Sequence, residues 1–231
     1  MTSFVLVHGS GQNAESWSRV GALLESRGHS IAAPELPKTA ADWGLEEHAA
    51  KIAASVESPD TVIVAHSLCG VFLPVVATLR TCARMVFVAA VIPEPGKSLR
   101  DLFTEDAAMF NPDWIAAGQR WFDESQQEGI AREFLFHDCD DETLAWALGT
   151  IELIDSAKAI TQSAPYAEWP TVPAASIVAS DDLTLTPDWC RRRSIERLGH
   201  EAIEVEAWHC PHMSRPDDVA DILDRLAVTG D

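Results

Sequence analysis

The chain has 231 residues, 47% of them hydrophobic and 23% charged, which predicts a globular protein with one sizeable core. Its 17 basic and 36 acidic residues give a net charge of −19, which disfavours nucleic acid and anionic membranes as partners. No apolar run approaches the roughly 20 residues that a membrane-spanning helix needs.

The N-terminus and the cysteines predict the compartment. A strand-like run begins at Phe4, and no basic segment or cleavage site for export precedes it. The cysteines are odd in number and form no C-x-x-C pair, which is typical of reduced thiols in a cytosol. They are Cys69, Cys82, Cys139, Cys190 and Cys210. We therefore predict a cytoplasmic protein.

Strands and helices are predicted to alternate through the first part of the chain. The apolar run Phe4–Val7 predicts a buried strand, and apolar residues at helical spacing predict a helix from Glu15 to Arg27. Ser30–Ala33 predicts a second, short strand. The apolar stripe from Leu45 to Val56 predicts a second helix.

The next stretch, T-V-I-V-A-H-S-L-C-G from Thr61 to Gly70, has the outline of a nucleophile elbow. In that motif a strand turns sharply into a helix and exposes a serine, here Ser67, at the carboxyl end of the strand. The positions two before and two after the serine must be small. Here they are Ala65 and Cys69, where the usual pattern has glycines.

After a strand predicted at Met85–Ala90 the alternation lapses. The segment from about Ser98 to Trp169 has a helical pattern with many acidic residues, and a strand at Ala174–Ala179 ends the lapse. We interpret residues 96–171 as an inserted helical cap. Its aromatic residues include Trp114, Trp121, Phe122, Phe134, Phe136 and Trp146.

A helix around Pro187–Leu198, a strand near Ala202–Ala207 and a final helix complete the pattern. Alternating strands and helices predict an α/β fold, with a mostly parallel, doubly wound sheet of about six strands covered on both faces. The predicted core comprises residues 1–95 and 172–231, and the cap is inserted between these two parts.

Four loops that leave carboxyl ends of predicted strands carry chemically suggestive residues. H-G-S-G follows the first strand, Ser67 the third, the pair Asp181 and Asp182 the fifth, and His209 the last. Ligands of parallel α/β sheets bind at this edge. A serine nucleophile needs a base, and the base needs an orienting carboxylate. The chain order Ser, Asp, His is that of the α/β-hydrolase fold.

On these residues the chain resembles an α/β-hydrolase along nearly its whole length. It is similar in particular to the branch of small hydroxynitrile lyases and plant methylesterases. The H-G-S opening with Trp17 nine residues after His8 matches that branch, as does F-L-F-H-D-C-D-D-E-T in the cap. The resemblance implies a serine hydrolase that needs no metal and no organic cofactor.

The resemblance also implies roles for individual residues. The triad acid of relatives is the fourth residue of G-x-x-D, which points to Asp182, with the aspartate before it as the alternative. The pattern H-x-P-H-x-x-x-P points to His209 as the base and to His212 as a buried, hydrogen-bonded structural histidine. The oxyanion hole of the family would use the backbone N–H groups of Ser10 and Leu68.

Two positions beside the predicted base depart from the family. Trp208 replaces a glycine or a small polar residue, and Cys210 replaces the lysine of the hydroxynitrile lyases. That lysine supplies positive charge for cyanide. Its absence argues against cyanohydrin cleavage.

The substrate pocket is predicted at the same edge of the sheet. The cap tryptophans are most simply the core of the cap, but some should line the pocket. The residues that we assign to the pocket are His8, Gly9, Trp114, Trp121, Trp146 and Cys210.

A metal site is not predicted. His209 and His212, with a cysteine between them, are not on a predicted helix and lack partners at metal-ligand spacing. The acidic run from His137 to Asp141 is interpreted as the start of a cap helix.

The sequence thus predicts a serine hydrolase that cleaves a small, mostly apolar ester, thioester or lactone through an acyl-enzyme. Two alternatives stay open. The first is a lyase or cyclase that uses the same residues for proton transfer, and the second is a ligand-binding receptor on a hydrolase scaffold. The expected partner is a small-molecule substrate, with a homodimer as an open question.

Overall fold

The computed structural model describes residues 1–121, 123–154 and 156–228. Six strands form one sheet in which all neighbours are parallel. They are β1 Ser3–Val7, β2 Ser30–Ala32, β3 Val62–His66, β4 Arg84–Val88, β5 Ala174–Ala179 and β6 Ile203–Val205. Their order across the sheet is β2-β1-β3-β4-β5-β6. The predicted fold class is therefore confirmed.

Helices connect the strands and cover both faces of the sheet. The α-helices of the described residues are α1 Ser18–Ser26, α2 Leu45–Ala53, α3 Leu73–Leu79, α4 Leu99–Glu105, α5 Pro112–Gly118, α6 Glu124–Phe134, α7 Asp141–Leu148, α8 Ala157–Thr161, α9 Pro187–Arg193, α10 Pro211–Ser214 and α11 Pro216–Val228. Helices α4 to α8 lie between β4 and β5, where the sequence predicts the cap.

The core has two layers because successive residues of a strand point to opposite faces of the sheet. In β1, Phe4 and Leu6 pack in a cluster with residues of α1 and α11. Val5 and Val7 pack in the other cluster, with residues of α2, α3 and α9. This burial on both faces explains why Phe4–Val7 of β1 is a continuous apolar run without polar alternation.

The inserted segment divides into two structural parts. Helices α5 to α7 contribute to a third apolar cluster, which includes Trp121, Phe134 and Phe136 and also Met213 from α10. Helices α4 and α8 instead pack into the main core, as the burial of Leu102 shows. The helical cap with its own core is therefore narrower than the predicted segment 96–171. Phe122 lies outside the described residues.

Three predicted helices begin or end differently from the expectation. The helix predicted from Glu15 starts as a 3₁₀-helix over Ala14–Trp17 and continues as α1. The helix after Ser67 starts as a 3₁₀-helix over Ser67–Phe72 and continues as α3. The helix predicted over Pro187–Leu198 is α9 followed by a wider π-helical turn, Ser194–Leu198. That turn ends at Gly199, whose φ of 80° is a left-handed conformation that glycine adopts without strain.

Candidate active site

Ser67 lies at the junction between β3 and the 3₁₀-helix that follows it. Its φ angle is +57°, a left-handed conformation that is costly for a residue with a Cβ atom and is expected in a nucleophile elbow. Ala65 and Cys69 are both fully buried. The sharp turn therefore forms without the usual glycines, since alanine and cysteine are small enough for these positions.

The structure brings Ser67, His209 and Asp182 together, although they are far apart in the sequence. The Ser67 Oγ lies 2.9 Å from Nε2 of His209, and Nδ1 of His209 lies 2.8 Å from Oδ2 of Asp182. A carboxylate only accepts hydrogen bonds, so Nδ1 of His209 carries a proton and Nε2 is free to accept the serine proton. His209 and Asp182 are both buried, whereas Ser67 is partly exposed.

The geometry distinguishes the two aspartates of the pair. Asp182 Oδ1 accepts a hydrogen bond from the Thr184 backbone N–H at 2.6 Å, which fixes the carboxylate while its other oxygen faces His209. The exposed Asp181 instead accepts a hydrogen bond from the Ser180 hydroxyl at 2.7 Å. Asp182 is therefore the partner of His209.

His212 lies behind His209, in a stack of aromatic rings. Its ring centroid is 4.3 Å from that of Trp17 and 4.4 Å from that of His66. The prediction that His212 is buried is confirmed. The prediction that it is hydrogen-bonded is wrong, because neither ring nitrogen of His212 has a partner among the described residues. Burial lowers the pKa of His212 to about 3, so the ring is neutral at physiological pH.

The loop after β1 is held beside Ser67 by backbone hydrogen bonds to the segment that precedes α8. Ser10 accepts a bond from Ile154 N–H at 2.9 Å, and Gly11 accepts one from Glu152 N–H at 3.0 Å. A Cβ atom on Gly9 would lie 2.6 Å from Nδ1 of His66, so glycine is required for this close approach. The loop thus brings the Ser10 backbone to the cavity in front of Ser67.

Leu68 is at the start of the 3₁₀-helix that begins at Ser67. The first N–H groups of a helix have no acceptor within the helix and can bind an anion. Ser10 lies in the loop after β1, and Leu68 lies in the first turn of this 3₁₀-helix, directly after Ser67. Their role as donors of an oxyanion hole stays a prediction.

A cavity of about 50 Å³ opens in front of Ser67 and His209. Of the six predicted pocket residues, four line it: Gly9, Trp114, Trp121 and Cys210. The side chains from Ser67, His209 and the cap therefore enclose one small space. It is far smaller than the roughly 300–1,000 Å³ of typical sites for drug-sized ligands.

The assignment of His8 and Trp146 to the wall of this cavity is wrong. His8 is fully buried, and its Nε2 accepts a hydrogen bond from the Leu36 backbone N–H at 3.1 Å. Trp146 lies under the guanidinium of Arg19, which is 4.4 Å from the ring centroid. Both rings are held by partners outside the cavity. Burial also lowers the pKa of His8.

Other residues of the cavity wall were not predicted from the sequence. They are Gly11, Gln12, His66 and Leu135, whereas Ser10, which also lines the cavity, was predicted for the oxyanion hole. Two of these residues had a signal in the sequence that could have assigned them to the cavity. His66 directly precedes the predicted nucleophile, and Gln12 directly follows the H-G-S-G loop. Nothing in the apolar pattern around Leu135 distinguishes it from the residues of the cap core.

A larger depression of about 430 Å³ lies elsewhere on the surface. Its wall includes Arg84, Ala174 and Ile203, which are the first residues of β4, β5 and β6. It is therefore at the amino ends of the strands, opposite to Ser67. Since ligands of parallel sheets bind at the carboxyl ends, the smaller cavity is the candidate active site.

Within residues 1–121, 123–154 and 156–228, no three His, Cys, Asp or Glu side chains are grouped as metal ligands. No helix in the same ranges is both long and apolar enough to cross a membrane. All five cysteines are free thiols.

Asp140 caps α7 by accepting a hydrogen bond from Thr143 N–H, which confirms the predicted start of a cap helix.

Comparison with known proteins defines the class. The model of the alpha/beta hydrolase family matches residues 4–222, so the chain belongs to this family. Among its relatives is the probable esterase PIR7A of rice, Oryza sativa subsp. indica. It is 28% identical, over 99% of this chain and 97% of the relative.

Two further comparisons agree with this class. Methylesterase 7 of Arabidopsis thaliana is 24% identical over 97% of this chain and 95% of its own. The crystal structure of polyneuridine aldehyde esterase superposes with a TM-score of 0.78 at 20% identity, covering 98% of this chain and 99% of the other. The predicted family is thus confirmed, and the fold is shared with a solved esterase.

Proposed function

We propose that this protein is a serine esterase that hydrolyses esters with a short acyl group through a covalent acyl-enzyme. The observation that carries the proposal is the unbroken hydrogen-bonded series from Ser67 through His209 to Asp182. The esterase names of the plant relatives support the same class of reaction.

The geometry supports the following course of reaction. Ser67 Oγ attacks the ester carbonyl while Nε2 of His209 takes the serine proton. Asp182 holds the imidazole in the required tautomer and stabilises the imidazolium that forms. His209 then gives the proton to the departing alkoxide, which leaves as an alcohol. Water, deprotonated by His209, then attacks the acyl-enzyme. The bond between the acyl carbon and Ser67 Oγ breaks, His209 returns the proton to Ser67 Oγ, and the carboxylic acid is released.

The negative charge of the tetrahedral intermediate needs hydrogen-bond donors. We assign this role to the backbone N–H groups of Ser10, in the loop after β1, and of Leu68, the residue after Ser67 in the 3₁₀-helix. A donor of this kind is commonly worth about 3 kcal/mol of transition-state stabilisation.

The size of the cavity limits the substrate. At about 50 Å³, it accommodates an acyl group of only a few carbon atoms. Turnover of p-nitrophenyl acetate and butyrate, with little turnover of the octanoate, is the expected result.

Ser67→Ala should lower kcat at least about 1,000-fold, with an unchanged circular dichroism spectrum as the control for folding. Wild-type rates in that variant, or no turnover by the native protein, would contradict the proposal.

A further inference from the structure

Gln12 is a buried polar residue in the wall of the candidate active site. It follows the loop that carries Ser10, and its side chain is 2% exposed. Its backbone N–H donates to the Gly9 carbonyl at 3.1 Å, and it forms an isolated antiparallel bridge with Ile151. The backbone of Gln12 is therefore fixed on both sides, and the residue lines the cavity beside Ser67.

In the part of the chain that the structure describes, only the nitrogen of the Gln12 side-chain amide has hydrogen-bond partners. Nε2 lies 2.9 Å from the Met213 thioether sulfur and 3.8 Å from the Cys210 sulfur. The opposite atom, Oε1, has no hydrogen-bond partner among the described residues. A thioether can only accept a hydrogen bond, so the NH₂ group belongs beside Met213 and the oxygen is the unpaired atom.

A second unpaired acceptor lies in the same wall. Nε2 of His66 is 2.8 Å from the His209 backbone carbonyl, which only accepts, so this nitrogen carries the proton. The other nitrogen, Nδ1, is then a bare acceptor, and it has no partner among the described residues. Burial, together with the neighbouring His212 and His209, keeps the pKa of His66 well below its ordinary value, so the ring stays neutral.

A buried acceptor without a donor is destabilising, and native proteins retain few of them. Around these two acceptors the cavity wall is built largely from glycines, indole rings, Leu135 and Cys210. A fully apolar ligand would leave both acceptors unpaired. A ligand with a hydroxyl group would supply the missing donor and would still fit against the apolar wall.

We propose that Gln12 Oε1 accepts a hydrogen bond from a hydroxyl group on the substrate, so that the preferred substrates are short hydroxy esters. This proposal rests on the proposed esterase function and adds the chemical class of the substrate. A site built to bond a hydroxyl discriminates strongly against an analogue without it, because its buried polar group is then left unpaired.

The test compares pairs of esters that differ by a hydroxyl in place of a methyl group. Methyl lactate and methyl isobutyrate place the difference in the acyl group, and 2-hydroxyethyl acetate and propyl acetate place it in the alcohol. Hydrolysis is followed by titration of the acid released. The native protein should prefer the hydroxy ester of at least one pair by about tenfold or more in kcat/KM, the factor given by about 1.4 kcal/mol.

Variants identify the residue responsible. Gln12→Leu has a similar volume but no acceptor, and it should abolish the preference for the hydroxy ester. The matched control is Gln119→Leu, the same substitution at an exposed position of the cap, which should keep the preference. If Gln12→Leu does not fold, equal kcat/KM values within both pairs of esters in the native protein would still overturn the role of Gln12.

The outcomes separate the two proposals. Equal kcat/KM values within both pairs, or a preference that persists in Gln12→Leu, overturn the role of Gln12 and leave the esterase function standing. Failure of the native protein to hydrolyse any of the four esters overturns both.

Discussion

The Nε2–H group of His66 donates a hydrogen bond to the backbone carbonyl of His209, with the two atoms 2.8 Å apart. His66 directly precedes Ser67, so the residue before the proposed nucleophile fixes the loop that carries the proposed base. The two rings also pack together, with centroids 4.8 Å apart. We therefore expect His66 to be a positioning residue, which holds His209 at the correct distance from the serine hydroxyl.

His66→Leu removes this hydrogen bond and leaves the His209 carbonyl without its donor. Because small displacements of a reacting group are costly, we expect kcat to fall about 10–100-fold, with a smaller change in KM. His66→Gln retains an N–H donor and should recover much of the loss. Steady-state kinetics on p-nitrophenyl acetate measures both variants. A wild-type kcat in His66→Leu would contradict the positioning role.

Asp182 and Asp181 provide a matched pair for the proposed acid. Asp182→Asn cannot hold the His209 tautomer in the same way, so kcat should fall by about 10³–10⁴-fold. Asp181→Asn changes an exposed neighbour whose carboxylate accepts a hydrogen bond from the Ser180 hydroxyl, and its kcat should stay near the wild-type value. Equal losses in the two variants, measured with the same ester, would contradict the assignment.

Gly70 permits a close approach between the helix after Ser67 and the loop after β4. A Cβ atom there would lie 2.3 Å from the Val91 carbonyl oxygen and 3.1 Å from the Ala90 Cβ. Gly70→Ala should therefore lower the free energy of unfolding by about 1–3 kcal/mol. Gly118→Ala is the control, because a Cβ atom on Gly118 meets nothing within 4 Å. Urea denaturation that gives both variants the same stability would contradict this account.

Much of the fold could be predicted because local patterns and burial agree. The run Ala174–Ala179 is a strand with the predicted bounds, since a fully buried parallel strand is a continuous apolar run. Chain order and strand ends place the elbow serine, the aspartate pair and His209 at one edge of the sheet, and the resemblance to the family pointed to Asp182 within the pair and to His209 as the base. These are properties that the sequence itself encodes.

Side-chain partners between distant segments could not be predicted in the same way. His8 precedes the loop of the cavity but turns to the Leu36 backbone, 28 residues away. Trp146 packs on Arg19, and Gln12 packs on Met213. Each orientation depends on which segments of the folded chain meet, and no spacing in the sequence specifies it. The cytoplasmic location and a homodimer stay predictions.

His212 makes the stability of the protein dependent on pH. Burial lowers its pKa to about 3, whereas an exposed imidazole titrates near about 6.5. Between these values the unfolded chain binds a proton that the native state excludes. The stabilisation from this group is thus fully present above about pH 6.5 and is lost as the pH falls towards 3. His66, whose pKa is lowered by burial, acts in the same direction.

His212→Leu removes this difference in proton binding. Between pH 6 and pH 5, the dependence of the unfolding free energy on pH should become shallower by about 1 kcal/mol per pH unit, which is nearly one proton. Urea denaturation over this range measures the slope, with the exposed His137→Leu as control. An unchanged slope in His212→Leu would mean that the native state binds a proton on this ring.

Covalent labelling with a fluorophosphonate tests the central claim most directly, since only an activated serine reacts readily with it. The native protein is treated, digested and mapped by mass spectrometry, with Ser67→Ala and His209→Ala in parallel. We predict a single adduct on the peptide that contains Ser67 and none in either variant. A folded native protein that stays unlabelled, or an adduct on another residue, would contradict the assignment of Ser67 as the nucleophile.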